Sequence, residues 1–234
     1  MAQELIARVK EVIQRTYNVK SIRLDIGGKA DFKAGQFLAV TLQNNPELKR
    51  YLSISSSPTE ECYLEITKKI TESDFSQAFN QLKPGSPVSI QYPFGKFILG
   101  DPAQDITFLS GGIGITPIRS IVKYIVDKNL GTDMVLVYAN RSVEDIVFKD
   151  DFDAMQKIYP KIKVAHVLCE ASPGFKCIPG LINAQVIKNE VNDYLKRKFY
   201  LCGPPQMVEA MEKLLTQELA VGKANIITEN FQGY

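Results

Sequence analysis

The residues best suited to chemistry gather at a few short turns. The first is Phe108-Leu109-Ser110-Gly111-Gly112-Ile113-Gly114-Ile115-Thr116-Pro117. An apolar run, Ile106 to Leu109, meets a glycine turn, and a helical pattern follows with Ile118, Ile121, Val122, Ile125 and Val126 on one face. Strand, glycine turn and helix together suit a dinucleotide pyrophosphate. Glycines without Cβ let backbone approach a phosphate closely, and the N–H groups and positive dipole end of the helix favour an anion. Pro117 fits the first helical turn, where its missing N–H costs nothing, but it stands where the third glycine of the full pattern would be. Read alone, the stretch is also compatible with an ordinary strand-to-helix turn.

Three further segments carry reactive or binding groups. Arg50-Tyr51-Leu52-Ser53-Ile54-Ser55-Ser56-Ser57-Pro58 sets an arginine beside several hydroxyls. Such a group can hold a pyrophosphate by charge-assisted hydrogen bonds, and a hydroxyl such as Ser53 can donate to a heterocycle nitrogen. Read alone, it is more simply a polar loop with a surface arginine between two strands. In Tyr200-Leu201-Cys202-Gly203-Pro204-Pro205-Gln206-Met207 a strand ends at a small thiol. At the carboxyl end of a parallel strand Cys202 would face a ligand crevice; the plain alternative is a buried core cysteine. The C-terminal Thr228-Glu229-Asn230-Phe231-Gln232-Gly233-Tyr234 ends on two aromatics and reads as a tail packed over something flat, or as a frayed end. The single histidine, His166, lies in an alternating apolar run with no accompanying nucleophile motif, so it reads as a strand residue.

These groups need two kinds of scaffold. The first hundred residues carry short alternating runs: Ile22, Leu24 and Ile26; Phe37 to Leu42; Leu64 and Ile66; Val88 and Ile90. Turn signals such as Gly27-Gly28, Asn44-Asn45-Pro46 and Lys83-Pro84-Gly85 separate them. The spacing predicts an antiparallel β-barrel, with Phe75 to Leu82 as a short capping helix. Beyond Gly100-Asp101-Pro102 strands and helices alternate, which predicts a doubly wound α/β parallel sheet. Strands are expected at Ile106–Leu109, Met134–Tyr138, Ile162–Leu168, Lys198–Leu201 and Asn225–Thr228. Helices are expected at Ile118–Asp127, Phe148–Ile158 and Gln206–Leu219, with Asn183 capping another. Two domains follow, 1–101 and 102–234.

Composition narrows the classes. The 234 residues are 45% hydrophobic and 23% charged with net charge +2, so nothing points to nucleic acid or a membrane surface. No apolar run reaches the roughly 18 residues of a membrane span, and Met1 to Lys10 is not a signal peptide; a cytoplasmic location is the expectation. Cys62, Cys169, Cys177 and Cys202 form no C-x-x-C pair, so no metal or cluster site is expected and the thiols read as free.

Barrel, Arg-x-x-Ser segment, Gly-Gly-x-Gly-x-x-Pro turn, Cys-Gly-Pro-Pro turn and terminal Glu-x-Phe occur in the order of the ferredoxin–NADP(+) reductase superfamily, which the chain resembles from Phe32 to Phe231. The resemblance implies an FAD-binding barrel and an NAD(P)H-binding α/β domain. It places Arg50 at the flavin pyrophosphate, Ser53 at flavin N5 and Ser76 at a second phosphate contact. It sets Gly111, Gly112, Gly114 and Thr116 around the nicotinamide cofactor's pyrophosphate, and Cys202, followed by Gly203 and Pro204, beside the nicotinamide. Glu229 and Phe231 would approach the flavin from the tail. Two positions depart from the family pattern. Leu52 stands where the ring-stacking aromatic is usual, with Tyr51 one residue early and, by strand alternation, on the other side. Ser73-Asp74 replaces the usual glycine before Ser76.

The implied reaction is hydride transfer from NADPH or NADH to FAD, with electrons passed to an acceptor such as a ferredoxin, a flavodoxin or a free flavin. Ser53, Cys202 and Glu229 would position the rings and tune charge, so no strong acid or base is needed. Arg141, just past a strand end, suits a 2′-phosphate and tilts the reading to NADPH; Glu144 or Asp145 would suit a ribose diol instead. Two alternatives stay open: a reductase subunit of a multicomponent oxygenase or dehydrogenase, and a non-catalytic flavin-fold binding module, to which Leu52 lends weight.

Overall fold

The computed structural model describes residues 2–170 and 172–230. The N-terminal half has six strands: β1 (Gln3–Thr16), β2 (Val19–Asp25), β3 (Phe37–Thr41), β4 (Lys49–Ser53), β5 (Leu64–Lys69) and β6 (Pro87–Phe94). All pair antiparallel in the order β4-β3-β6-β1-β2-β5. An Ile54↔Ile66 bridge and a Ser55 N–H to Glu65 carbonyl bond of 2.7 Å join the two edges, so the sheet closes as expected.

Period-2 alternation fills the barrel with Ile22, Leu24, Leu38, Val40, Ile66 and Ile90, each essentially inaccessible. Two features differ from the sequence expectation. The central strand β1 was not among the expected strands: exposed Ile6 sits opposite buried Ala7 and Val9, and a register shift between Val9 and Glu11 breaks the alternation. The segment Arg50–Ser53 is not a loop but strand β4, paired with β3 from Arg50↔Val40 to Ser53↔Phe37. The capping helix α1 runs Asp74–Asn80 and buries Phe75, Ala78 and Phe79; Ser73 caps it by accepting the Ser76 N–H.

The C-terminal half contains β7 (Ile106–Gly111), α2 (Ile115–Lys128), β8 (Met134–Asn140), α3 (Lys149–Ile158), β9 (Ile162–Leu168), β10 (Ile178–Pro179), α4 (Ala184–Glu190), β11 (Lys198–Gly203), α5 (Pro205–Lys213) and β12 (Ile226–Asn230). The sheet is parallel throughout, in the order β10-β9-β8-β7-β11-β12. Alternate residues feed two cores. Ile106, Phe108, Leu136 and Tyr138 pack with α2 and α3, and Leu109, Val135, Val137 and Leu201 pack with α4 and α5. Helix α2 buries Ile115, Ile118, Ile121, Val122 and Ile125 completely, each worth about 1.5–3 kcal/mol. The helix expected at Gln206–Leu219 is α5 followed by a π-helical turn, Leu214–Glu218.

The halves are bolted together. Tyr200 of β11 packs edge-on against Phe97 at 5.3 Å, donates to the Ile98 carbonyl and accepts the Gly100 N–H, both at 3.0 Å. Among the described residues, no helix is long and apolar enough to cross a membrane.

Candidate functional site

Strand order reverses between β7 and β11, and in an open parallel sheet the carboxyl ends at such a point open a crevice. Here those ends are Gly111 and Gly203. Gly112 takes a left-handed φ of +52° with open space where a Cβ would be, and the Tyr138 hydroxyl fixes its carbonyl at 2.9 Å. The other two glycines serve packing rather than direct access to a ligand. A Cβ at Gly114 would overlap the Cys202 carbonyl, and one at Gly111 would overlap the Met207 sulfur. Thr116 is buried, and its hydroxyl donates to the Ile113 carbonyl at 3.1 Å, so it braces the turn. A cavity of about 750 Å³ opens here, walled by Gly112, Ile113, Arg141, Pro204 and Met207, with Tyr17 of the barrel on its far side. That volume suits a nucleotide-sized ligand.

On the barrel side, alternation along β4 puts Arg50 and Leu52 on one face and Tyr51 and Ser53 on the other. Leu52 packs against the barrel core. Tyr51 is 60% exposed and clusters with Phe37 and Phe94 at 5.7 and 6.2 Å. The Arg50 guanidinium stands 5.5 Å from the Phe75 ring and donates to the Glu47 and Lys49 carbonyls. Lys68 of β5 reaches the same ring at 5.8 Å. Burial, and then the Arg50 charge, push the Lys68 ammonium below its usual pKa. Two cations drawn together beside a capping helix suit an anionic ligand. Ser76 is buried in α1, with its hydroxyl 2.9 Å from that of Thr71.

The two halves meet at Glu229. Its register partner on β11 is Cys202, whose other neighbour is Ser110. Across the interface, a Cβ on Gly95 would lie 3.7 Å from Glu229 Oε1 and 2.8 Å from the Phe37 ring. Phe37 is the register partner of Ser53. Glu229 Oε2, Ser53 Oγ and Ser110 Oγ are buried without a hydrogen-bond partner among the described residues. Burial raises the Glu229 carboxyl to about 7. Burial, with Glu229 beside it, pushes the Cys202 thiol up, so Cys202 stays a neutral thiol rather than a nucleophile.

The structure therefore brings Ser53, Cys202, Glu229 and the Gly112 turn to one interdomain region. Arg50 and Ser76 lie together at the barrel mouth. Arg141 stands apart at the cavity rim, where its Nε donates to Glu170 at 2.7 Å in an exposed pair. Phe231 lies outside the described residues. The four cysteines are free thiols, and Cys202 is the buried one. His166 packs against Tyr138 and Phe175, and burial lowers its pKa.

Sequence reasoning missed Lys68, Tyr138, Glu60 and Arg119. The last two form a buried interdomain ion pair. Only Lys68 had a local signal, as a cation ending the alternating run of β5.

Comparison with known proteins agrees with this two-part site. Residues 6–98 match the family described as Oxidoreductase FAD-binding domain, and residues 108–213 match Oxidoreductase NAD-binding domain. A glycine betaine monooxygenase reductase subunit of Pseudomonas aeruginosa is 32% identical over 222 residues, 90% of this chain and 60% of that protein. The chain thus spans well under two thirds of that relative. NADH-cytochrome b5 reductase 1 of Aspergillus terreus is 30% identical over 94% of this chain and 79% of its own length. Among solved structures, the cytochrome b5 reductase domain of Ulva prolifera nitrate reductase superposes with a TM-score of 0.86 at 21% identity, covering 97% of each chain. Amycolatopsis cytochrome P450 reductase GcoB also reaches 0.86, at 22% identity over 99% of this chain and 71% of that one. Domain matches, relatives and fold agree: the chain belongs to the ferredoxin–NADP(+) reductase superfamily.

Proposed function

We propose that this chain moves a hydride from a nicotinamide dinucleotide to FAD and passes the electrons to a separate acceptor, with 1–101 as the FAD-binding half and 102–234 as the nicotinamide-binding half. One observation carries the reading: Ser53 Oγ and Glu229 Oε2, one from each half, are buried without a hydrogen-bond partner among the described residues, on either side of the Phe37–Gly95 contact. A buried polar atom left unpaired costs about 1–3 kcal/mol, and the polar edge of a flavin would supply the missing partners.

The residues present fit FAD. Arg50 and Lys68 would hold its pyrophosphate, with Ser76 as a further hydroxyl, Leu52 as an aliphatic wall and Ser53 as donor to the ring. Bound FAD supplies a ring that accepts a hydride and releases electrons one or two at a time. This chain supplies binding, orientation and exclusion of water. Cys202, Gly203 and Pro204 would flank the nicotinamide, with Gly111, Gly112, Gly114 and Thr116 shaping the turn that receives its pyrophosphate. Glu229 would close the flavin side. With its carboxyl near 7, Glu229 is able to hold a proton close to the ring at neutral pH.

Of the two nicotinamide cofactors, NADH is the reading this arrangement supports, against the NADPH suggested by Arg141 alone. Glu170 already engages the Arg141 guanidinium, and its carboxylate would repel a 2′-phosphate. The acceptor is an electron-carrier protein such as a ferredoxin, flavodoxin, cytochrome or oxygenase component, or a free flavin. Similarity to a protein named a monooxygenase reductase subunit favours a second form of the reading, a reductase component of a multicomponent oxygenase. The experiment is an anaerobic titration of the purified yellow protein with NADH and with NADPH, followed at the flavin band near about 450 nm. Bleaching, at lower concentration with NADH, is expected. A protein that takes up no FAD, or whose FAD neither nucleotide bleaches, would refute hydride transfer and leave the non-catalytic module.

A further inference from the structure

Arg119 belongs to none of the motifs above, yet it is only 4% exposed and its guanidinium bonds across the two halves. It lies on α2, three residues after Thr116, on the helix that follows the Gly112 turn. Its Nη1 and Nη2 fork onto the two carboxylate oxygens of Glu60 in the barrel half. Nη1 also donates to the Ser55 carbonyl at 3.0 Å, and Nε to Asp151 of α3 at 3.0 Å. The next residue, Ser120, donates to the Ser56 carbonyl at 2.6 Å. The Arg119 guanidinium also stands 5.5 Å from the Phe148 ring, which Arg15 of barrel strand β1 approaches at 4.8 Å.

The gripped segment begins two residues beyond Ser53. It is held from the barrel as well: Ser55 Oγ donates to Glu65 Oε1 at 3.0 Å, and Glu65 is fully buried between Arg15 and Arg23. Glu60 accepts the Ser57 N–H at 2.7 Å, which closes the loop onto itself. So the strand end that presents Ser53 and the helix that presents the Gly112 turn are joined through the Arg119 guanidinium and, beside it, the Ser120 hydroxyl. We infer that Arg119, through Glu60 and Ser55, is a positioning residue that sets the spacing of the flavin-side and nicotinamide-side sites. This rests on the hydride-transfer reading above. Hydride transfer needs two rings in near contact, and a misplacement of about 1 Å far from the chemistry costs about a hundredfold in rate.

The test uses the FAD-loaded protein with Arg119→Lys and the near-isosteric Glu60→Gln, beside Asp127→Ala. Asp127 accepts the Thr59 hydroxyl at the exposed edge of the same interface, and its loss leaves the Ser57–Thr59 hydroxyl pair in place, so it serves as the control. Wild-type bleaching by NADH or NADPH comes first, because its absence counts against hydride transfer. Amide exchange at Ser57 needs no nucleotide and reads the clamp separately. Expected for Arg119→Lys and Glu60→Gln are unchanged FAD content, Ser57 exchange at least about tenfold faster, and bleaching about 10–100-fold slower at saturating nucleotide, with the half-saturating concentration within about twofold. Asp127→Ala should match wild type in all three. If Arg119→Lys fails to fold, Glu60→Gln decides. Unchanged Ser57 exchange in the folded variants, or bleaching within about twofold of wild type despite faster exchange, would reduce Arg119 to structural glue and overturn the inference.

Discussion

Glu229→Gln isolates the energetic consequence of burying a carboxyl at the junction of the two halves. Burial raises its pKa from 4.5 to about 7. At roughly 1.4 kcal/mol per pH unit, ionising it in the folded protein costs roughly 3 kcal/mol more than in the unfolded chain. The sign follows from the raised pKa. Below pH 4.5 both states hold the proton and nothing is lost. Between 4.5 and about 7 the unfolded chain ionises first, so stability falls as pH rises; above about 7 the loss is complete. Glutamine never ionises but still buries a polar amide, so it should recover about 1–3 kcal/mol at pH 8 and nothing near pH 4.5. Urea unfolding of FAD-free wild type and variant from pH 4.5 to 8.5 measures the difference, in which the other titrating groups cancel. A difference that is flat across that range would show that Glu229 does not titrate upward in the fold. The role given to it as a proton-holding group beside the ring would fall with it.

Other expectations concern the two cofactor halves. Arg50→Ala and Lys68→Met should each weaken FAD binding at least about tenfold, since each removes a charge-assisted contact worth about 1.5–3 kcal/mol; fluorescence titration with FAD reads this, and unchanged affinity removes the residue from the pyrophosphate site. Gly114→Ala should destabilise the α/β half by more than about 2 kcal/mol, because the new methyl overlaps the Cys202 carbonyl, which is backbone and must shift; a thermal melt matching wild type would contradict that packing. Glu170→Gln should raise the relative efficiency with NADPH about fivefold, the scale of an exposed ion pair worth under about 1 kcal/mol, and an unchanged NADH-to-NADPH ratio would show that Arg141 does not contact the 2′ position.

The positions of the two cations at the barrel mouth bear on the departure at Leu52. An aromatic there would add a stacking face, but Leu52 offers only a partly buried aliphatic side chain against the barrel core, and the neighbouring aromatic, Tyr51, joins Phe37 and Phe94 on the opposite face. On the proposed reading, flavin binding would then lean on the anion contacts and on the Ser53 hydroxyl more than on ring stacking.

The sequence by itself determined what local periodicity and turn chemistry encode. A period of two before residue 101 and alternating strand and helix after it gave barrel and parallel sheet. Glycine, proline and hydroxyl residues at fixed offsets marked the turns at Gly111–Pro117 and Cys202–Pro205. Tertiary structure alone decided the rest. Strand β1 was hidden because its central place depends on pairing with β2 and β6, not on its own interrupted alternation. The purpose of Gly111 and Gly114 emerged only with Met207 and Cys202 packed against them from roughly ninety residues away. Lys68 met Arg50 over one ring, Glu170 met Arg141, and Glu60 met Arg119 through contacts spanning 18 to 59 positions. A charged side chain in sequence carries no mark of its partner. Its burial, its pKa and its role are set by which distant backbone the fold lays beside it, and that is a property of packing rather than of pattern.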